Sequence, residues 1–408
     1  MSPNVVRLAL PGYNALTDSN LDHFSLYADV DNVLIKRYLS GTDTLPDGPD
    51  YPTIHTINHD LSYIPFFMVY FASQYEAEVP GNTILNNEYD AFEVPAIVCA
   101  VDIDDLIIKN FSGGAIDYSY DIFYDDMDTA GSPSITESSN VFKVARPDKS
   151  ASSKNPNDYI VHSDLNNFKI LKQGTLNKTL SVGSNSFNHG ASISAPYKYF
   201  CFLQFPDGKT TLLGGSASTN SYDESNSISH TLCDDTKIYI YLPYGQANIT
   251  VDISYIIYGT GQDDTVSNSD VLLACAKDGQ NVLTSSNPDN FNFHSDYPTL
   301  KYYNSGTYSM TVSDTTTYTI AHNLGYTPFF IGFCNDLQAS FFSSSSYAIL
   351  PYYLGNSAYP FQLDNDIASF IYADDTNIYL KAYYQANAVG TSKTFSFYYK
   401  IFKNNLGI

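Results

Sequence analysis

Two short triplets in this 408-residue chain have the residue types of a nucleophilic hydrolase, because residues 162–164 and 294–296 both read His-Ser-Asp. A catalytic Ser-His-Asp relay is assembled from separate parts of a fold, whereas neighbouring residues of a strand point to opposite faces. A third, related stretch at 27–29 reads Tyr-Ala-Asp and lacks the set. We therefore interpret each triplet as an edge histidine followed by an aspartate that caps a turn, and we predict no catalytic residues.

Two further histidines open similar motifs, His59 in HDLSYIPFF and His322 in HNLGYTPFF. An imidazole next to a carboxylate is half of an acid-base or metal site. No second histidine follows either one at i+2 or i+4, the spacings that would place two ligands on one strand or helix face. We favour a histidine that stabilises a turn.

Three pairs of adjacent aspartates are the candidates for a metal ion. Ca²⁺ takes carboxylate ligands from loops, but these pairs lie between strand-like runs, where aspartate commonly builds hairpin turns, and no DxDxDG spacing accompanies them. The sequence favours turns, with weak Ca²⁺ sites as the alternative, and it predicts no cofactor. The pairs are Asp104 and Asp105, Asp234 and Asp235, and Asp374 and Asp375.

These features recur because the chain repeats itself. Residues 287–306 align with 155–174 without a gap, and with 20–41 after a two-residue insertion. The unit of roughly 130 residues is the size of one domain. We predict three domains, called segments 1 to 3, at 1–124, 141–258 and 271–408, joined by linkers rich in Ser, Thr, Asp and Gly at 125–140 and 259–270. The repeat signature comprises Pro11, Gly12, Tyr13, Asp29, Gly41, His59, Pro65, Asp164, Gly174, Pro196, Asp296, Gly306, His322, Gly325, Tyr326 and Pro328.

Within each segment the apolar pattern has a period of two. Residues 249–258 and 394–402 alternate in this way and are rich in β-branched and aromatic side chains, as half-buried strands are. Residues 308–320 read as two strands around a turn, and Gly325 is expected to take a positive φ before a buried strand that starts near Pro328. No stretch has a capped amphipathic helical pattern. The prediction is an all-β chain of three tandem antiparallel β-sandwich domains, jelly-roll-like and related by internal repeat.

Composition excludes several classes of function. A net charge of −23 argues against nucleic-acid binding, and no apolar run is long enough to span a bilayer. The N-terminal stretch does not predict a cleaved signal peptide. Five cysteines without a repeated spacing indicate free buried thiols, and the P-loop, dinucleotide-binding, HExxH and GxSxG motifs do not occur. The 36 tyrosines without a single tryptophan favour protein interfaces, since tyrosine is enriched there.

The pattern formed by Pro11–Tyr13, residues 295–303, Gly306 and residues 320–330 resembles modules of structural proteins of tailed bacteriophages, especially tail, baseplate and fibre-associated β-sandwich proteins. It covers most of segment 3, part of segment 1 and a skeleton of segment 2, and it brings no catalytic residue. The resemblance implies a non-enzymatic virion protein, assembled in the host cytoplasm, which forms a homo-oligomer or is present in several copies per particle and docks other virion proteins. Three alternatives stay open: a receptor- or glycan-binding module of a phage fibre or cell-surface adhesin, a capsid-surface decoration or head-fibre protein, and, least favoured, a polysaccharide hydrolase.

Overall fold

The computed structural model describes residues 7–18, 23–27, 35–46, 53–73, 76–78, 82–84, 95–110, 115–124, 141–145, 150, 152–153, 158–191, 193, 197–213, 230–242, 248–259, 273–277, 280–285, 290–295, 297–335, 346–350, 352–354, 365–386 and 391–408. These residues form thirty β-strands, and no helix among them is long and apolar enough to cross a membrane. The all-β prediction is confirmed.

Ten strands are described in each segment. Segment 1 has β1 (Arg7–Ala9), β2 (Phe24–Tyr27), β3 (Lys36–Leu45), β4 (Thr53–Asn58), β5 (Phe67–Ser73), β6 (Glu76–Glu78), β7 (Asn82–Ile84), β8 (Pro95–Val101), β9 (Asp105–Asn110) and β10 (Ile116–Tyr124). Segment 2 has β11 (Lys143–Ala145), β12 (Tyr159–His162), β13 (Asn166–Asn167), β14 (Ile170–Leu180), β15 (Gly183–Asn188), β16 (Tyr199–Gln204), β17 (Thr210–Leu212), β18 (His230–Cys233), β19 (Lys237–Leu242) and β20 (Ile249–Tyr258). Segment 3 has β21 (Ala274–Ala276), β22 (Phe291–His294), β23 (Tyr302–Val312), β24 (Thr315–Ala321), β25 (Pro328–Cys334), β26 (Tyr347–Ile349), β27 (Tyr352–Leu354), β28 (Asn365–Ala373), β29 (Asn377–Ala386) and β30 (Lys393–Asn405).

The strands form three large antiparallel sheets. Sheet I has the order β13-β3-β10-β5-β6-β18-β19-β15. Sheet II has the order β14-β20-β16-β17-β28-β29-β24, with β27 also paired to β28. Sheet III has the order β23-β30-β25-β26-β8-β9-β4, with β7 also paired to β8. Three two-stranded hairpins, β1-β2, β11-β12 and β21-β22, complete the fold.

Each large sheet combines strands from two segments. Segment 1 meets segment 2 where β6 pairs with β18, segment 2 meets segment 3 where β17 pairs with β28, and segment 3 meets segment 1 where β26 pairs with β8. The order of pairing is cyclic, so the three segments close a ring. Strand pairing therefore crosses the predicted domain boundaries, and the predicted linkers themselves lie outside the described residues except for Gly259.

Within a segment, strands from two different sheets face each other. In segment 2 the Tyr199 hydroxyl of sheet II donates to Thr231 Oγ1 of sheet I at 3.2 Å. In segment 3 the Ser369 hydroxyl of sheet II lies 3.6 Å from the Cys334 sulfur of sheet III. Each segment thus contributes both layers of a sandwich, and every layer continues into the next segment.

One aromatic cluster occupies the middle of this arrangement and draws on all three segments. Phe200 lies against Phe329 with ring centroids 4.9 Å apart, and Phe66 lies 6.1 Å from Phe200 and 5.9 Å from Phe402. Burial of apolar surface is the main favourable term in folding, so a shared core couples the stability of the segments. A second, smaller core joins the three hairpins through Leu26, Ile160, Val161 and Phe293.

Candidate functional site

In each segment a tyrosine packs over one glycine of the neighbouring strand, so the same contact occurs at the equivalent position of all three segments. A Cβ at the glycine would lie 2.8 Å from the nearest tyrosine atom in segment 1, and 2.6 and 2.5 Å from the tyrosine hydroxyl oxygen in segments 2 and 3. No larger side chain fits while the tyrosine keeps its position, so the repeated glycine has a packing role. The cross-strand pairs are Gly41 with Tyr120, Gly174 with Tyr255, and Gly306 with Tyr399.

The predicted turn histidines His59 and His322 have a third counterpart, His189, which the sequence motif did not reveal. Each of the three is at most 2% exposed. Each donates its main-chain N–H to a carbonyl of the turn that precedes β9, β19 or β29, and accepts at Nδ1 from the N–H two residues further on. The first bonds are His59 to Asp104 at 2.7 Å, His189 to Thr236 at 3.1 Å and His322 to Thr376 at 3.0 Å; the second come from Leu61, Ala191 and Leu324.

Both ring nitrogens of His189 and of His322 are hydrogen-bonded to the main chain. Because Nδ1 accepts a hydrogen bond, the proton resides on Nε2, which lies 3.2 Å from the Asp234 carbonyl oxygen in segment 2 and 3.1 Å from the Asp374 carbonyl oxygen in segment 3. Burial lowers the pKa of His59 and His189 and so favours the neutral ring. These bonds leave neither nitrogen of His189 or His322 open to a substrate or a metal ion.

The aspartates form turns, as predicted, but the corresponding residue in segment 1 is Asp102 and not the pair Asp104 and Asp105. Oδ1 of Asp102 accepts the N–H groups of both members of that pair, at 2.9 and 2.8 Å. Oδ1 of Asp234 and Asp374 accepts from the N–H groups two and three residues on in the same way. This is an Asx-turn, in which the carboxylate replaces a main-chain carbonyl.

The second carboxylate oxygen is also engaged in segments 2 and 3. Tyr239 donates to Asp234 Oδ2 at 2.7 Å, and Tyr379 donates to Asp374 Oδ2 at 2.6 Å. Partial burial acts to raise the pKa of both aspartates, but the hydrogen bonds outweigh it and hold each pKa below its usual value. No cluster of three or more His, Cys, Asp or Glu side chains suited to a metal ion occurs in the part of the chain that the structure describes.

The two His-Ser-Asp triplets lie where the second strand of a hairpin ends. His162 and His294 are buried, with ring edges against Tyr159 and Phe291. The following serines hold the first strand of the hairpin, since Ser163 Oγ accepts the Phe142 N–H at 3.1 Å and Ser295 Oγ accepts the Leu273 N–H at 3.3 Å. The Asp164 N–H donates to the His162 imidazole, while Asp296 and its counterpart Asp29 lie outside the described residues. Both serines therefore join the two strands of a hairpin.

The remaining signature residues are structural where they are described. Gly325 has a φ of 75°, as predicted, and Tyr326 donates to the Lys403 carbonyl. Pro65 precedes β5 and Pro328 begins β25. Pro11, Gly12 and Tyr13 lie in the loop of the first hairpin, and Pro196 lies outside the described residues.

The structure has a cluster of buried charged side chains between segments 1 and 2, which the repeat pattern in the sequence does not predict. Asp121 in β10 is fully buried, with its Oδ2 2.7 Å from Lys198 Nζ and its Oδ1 3.5 Å from Arg37 Nε. The corresponding residues of the other segments, each following the tyrosine that covers the glycine, are Ile256 and Lys400. The cluster therefore distinguishes one junction of the ring from the other two.

One half-exposed histidine lies beside a carboxylate and a phenol. His55 Nδ1 is 3.7 Å from Asp43 Oδ2 and 2.5 Å from the Tyr118 hydroxyl, at the edge where β3 and β4 meet. At the corresponding edge of segment 3, Tyr308 stacks on Tyr318 with centroids 3.4 Å apart. The two edges thus share a location, and in each a side chain of the edge strand, His55 or Tyr318, contacts the facing sheet.

The five cysteines are free, and all but Cys275 are buried. Burial raises the pKa of the thiols of Cys99, Cys201, Cys233 and Cys275, which makes the reactive thiolate scarce.

Comparison with known proteins identifies no relative, because no protein-family model, no curated protein and no solved structure matches the chain.

Proposed function

We propose that this protein is a non-enzymatic structural component of a bacteriophage virion, in the tail, the baseplate or a fibre attachment, and that it docks other virion proteins. The proposal rests on what the repeated His, Ser and Asp side chains bind. The described members of the repeated His, Ser and Asp sets bond to the main chain of turns and hairpins. They position strands, which is the work of a scaffold.

The docking surfaces we propose are three sheet edges. One end of each large sheet is a strand with a single partner among the described residues: β15 in sheet I, β24 in sheet II and β4 in sheet III. Natural proteins guard exposed edges with charged residues or proline. None of these three strands contains Lys, Arg, Asp, Glu or Pro, although the chain has 63 charged residues. An unguarded edge can accept a strand from a partner through main-chain hydrogen bonds.

Tyrosine contributes less to this surface than composition suggested. Among the described tyrosines only Tyr13 and Tyr318 are exposed, at 47% and 38%. Edges, and not a tyrosine-rich face, are therefore the proposed contact, with Tyr318 on the edge strand β24 as its aromatic element.

The test is to look for the chain in particles. Purified virions, washed to shed loosely attached proteins, are analysed by mass spectrometry, and the particle is imaged by cryo-EM. We expect the chain in the washed particle, with a neighbour's strand added to β4, β15 or β24. Its absence from every washed preparation would refute the proposal. Density on the capsid shell would instead identify a decoration or head-fibre protein.

A second candidate, glycan binding, is favoured by the stacked pair of Tyr308 and Tyr318 beside a threonine-rich strand. Aromatic faces bind the apolar face of sugars. Saturable binding on a glycan array that is lost in Tyr318→Ala and kept in Tyr13→Ala would support this candidate over docking.

A further inference from the structure

The three edge strands β4, β15 and β24 differ in how much of each strand is exposed. Six of the seven residues of β24 are exposed, against three of six in β4 and two of six in β15. β24 consists mostly of threonine with one tyrosine and one isoleucine, which are residue types that favour strands. β24 is therefore the edge best suited to accept a further strand.

The side chains beside each edge also distinguish segment 3 from the other two segments. Asp43 of β3 lies 3.7 Å from His55 of β4, and Lys178 of β14 donates to the Ser186 carbonyl of β15. The contact at this edge of segment 3 joins two neutral rings, those of Tyr308 in β23 and Tyr318 in β24. Charged side chains at an edge oppose pairing with another chain. Neither β23 nor β24 contains Lys, Arg, Asp or Glu, so this edge alone lacks a charged neighbour among the described strands.

A second copy of the chain supplies a strand that matches β24. Antiparallel pairing of β24 with its own counterpart, centred on Tyr318, brings together only threonine, tyrosine, isoleucine and alanine. The pairs are Tyr318 with itself, Thr317 with Thr319, Thr316 with Ile320, and Thr315 with Ala321. Cross-strand pairs of β-branched and aromatic residues stabilise antiparallel strands, and none of these pairs brings like charges together.

Electrostatic repulsion limits where a second copy can approach. Each copy has a net charge of −23, but β24 and its partner β29 contain no acidic residue and one lysine, Lys381. Asp314 directly precedes β24, and antiparallel pairing places the two Asp314 residues about 27 Å apart, at opposite ends of the contact. Each Asp314 then lies opposite His322 of the other copy, next to the turn of Asp374 and Asp375, so added salt should strengthen the contact.

We propose that two copies of this protein associate by antiparallel pairing of β24 with β24, which joins sheet II of one copy to sheet II of the other. Each chain has one such edge, so the contact is isologous and closes at a dimer. A pairing of seven residues is a small interface, so the dimer is weak and depends on concentration. The proposal takes one of the three proposed docking edges and leaves β4 and β15 to other proteins.

Sedimentation equilibrium from about 1 μM to about 1 mM protein tests the proposal, since that range covers weak to moderate affinities. We expect a monomer–dimer equilibrium that is tighter in about 0.5 M than in about 0.05 M NaCl. Thr317→Lys with Thr319→Lys places lysines directly opposite each other and should weaken the dimer by at least about tenfold.

Ile54→Lys with Thr56→Lys is the matched control. Counted back from the turn histidines His59 and His322, these positions of β4 correspond to 317 and 319 of β24. The control should leave the dimer unchanged. Both double variants make the chain less negative, so a general effect of charge would favour association in both.

Tyr318→Cys tests the register of the pairing. Position 318 lies opposite itself, with Cα atoms about 4.5–5.5 Å apart, within the range of about 4.4–6.8 Å that a disulfide requires. Treatment with oxidised glutathione should give a covalent dimer with a bond between the two copies of position 318, mapped by mass spectrometry. His55→Cys, at the corresponding position of β4, should stay a monomer. Because the Tyr318→Cys variant gains a bond, this result does not depend on the folding of the lysine variants.

Three results would overturn the proposal: a monomer at every protein and salt concentration, an equal loss of affinity in the β4 control, or no bond between copies of Tyr318→Cys. Each of these results would leave the proposed docking of virion proteins at β4 and β15 standing, because they concern the purified chain alone. Absence of the chain from washed virions would equally leave the dimer standing.

Discussion

Replacing Gly174 with alanine should destabilise the protein, although the same change in an ordinary strand is favourable. Gly174 in β14 lies under the ring of Tyr255 in β20, and an added Cβ would lie 2.6 Å from the tyrosine oxygen and 2.8 Å from two ring carbons. The ring cannot move away freely, since its hydroxyl donates to the His189 carbonyl at 2.9 Å. The new methyl group must displace a held side chain.

Two opposing effects set the magnitude. Alanine stabilises a strand interior over glycine by roughly 0.5–1 kcal/mol through backbone entropy. Overpacking a well-filled site costs roughly 1–3 kcal/mol. The clash is the larger effect, so we expect a net loss of about 1–2 kcal/mol for Gly174→Ala.

The assay is urea unfolding followed by circular dichroism, with Gly174→Ala measured alone and in a Tyr255→Leu background. Leucine leaves space above the glycine, so alanine should there be neutral or stabilising, and the coupling energy of the cycle should exceed about 1 kcal/mol. Our explanation of the repeated glycine is refuted if Gly174→Ala alone raises stability, or if its cost is the same in both backgrounds.

Three further predictions concern charge, backbone and pH. Asp121→Ala leaves two buried cations without their carboxylate and should cost about 3–5 kcal/mol in urea unfolding, whereas a cost below about 1 kcal/mol would contradict the buried cluster. Ser62 has a φ of 61° where the corresponding Gly325 has 75°, so Ser62→Gly should stabilise the protein by about 0.5–1 kcal/mol and Gly325→Ser should destabilise it by about 1 kcal/mol. Stability changes in the same direction for both variants would contradict this prediction. Burial lowers the pKa of His59 and His189, so their contribution to the free energy of unfolding is full above the unfolded-state pKa near 6.5 and is lost as the pH falls from there through the folded-state pKa. Replacing both histidines by asparagine should flatten the dependence of the free energy of unfolding on pH below pH ~6.5. An unchanged pH dependence would count against this role of the two histidines.

Local features of the fold were largely predictable from sequence. The period-two runs gave β20 and β30, the polar turn between Val312 and Thr315 separates β23 from β24, and Gly325 has the expected positive φ. These features depend on side-chain alternation and backbone sterics, which act over a few residues.

Contacts between distant residues were not predictable in the same way. No sequence motif marks His189, because its connection to the next strand is longer than in the other segments and lacks the HDL or HNL motif. Asp102, which caps the turn, is not part of the adjacent pair Asp104 and Asp105 that the sequence pattern marks. The pairing between segments is specified by a few residues, in sheet II by Thr210 opposite Ala373 alone, so no periodic pattern reports it.

The closed ring is the central claim, and its most direct test is a disulfide between segments 3 and 1. Ala348 in β26 pairs with Ala100 in β8. Cross-strand partners have Cα atoms about 4.5–5.5 Å apart, within the range of about 4.4–6.8 Å that a disulfide requires.

We would oxidise Ala100→Cys with Ala348→Cys and map the product by mass spectrometry. Every variant carries Cys334→Ser, because Cys334 in β25 also pairs with position 348. Ala100→Cys with Ala382→Cys, in a different sheet, is the control, and Ala348→Cys alone tests for capture of the native Cys99. The ring predicts an intramolecular bond between positions 100 and 348 in the monomer and in that pair alone. Its absence, or formation only between separate chains, would contradict the ring.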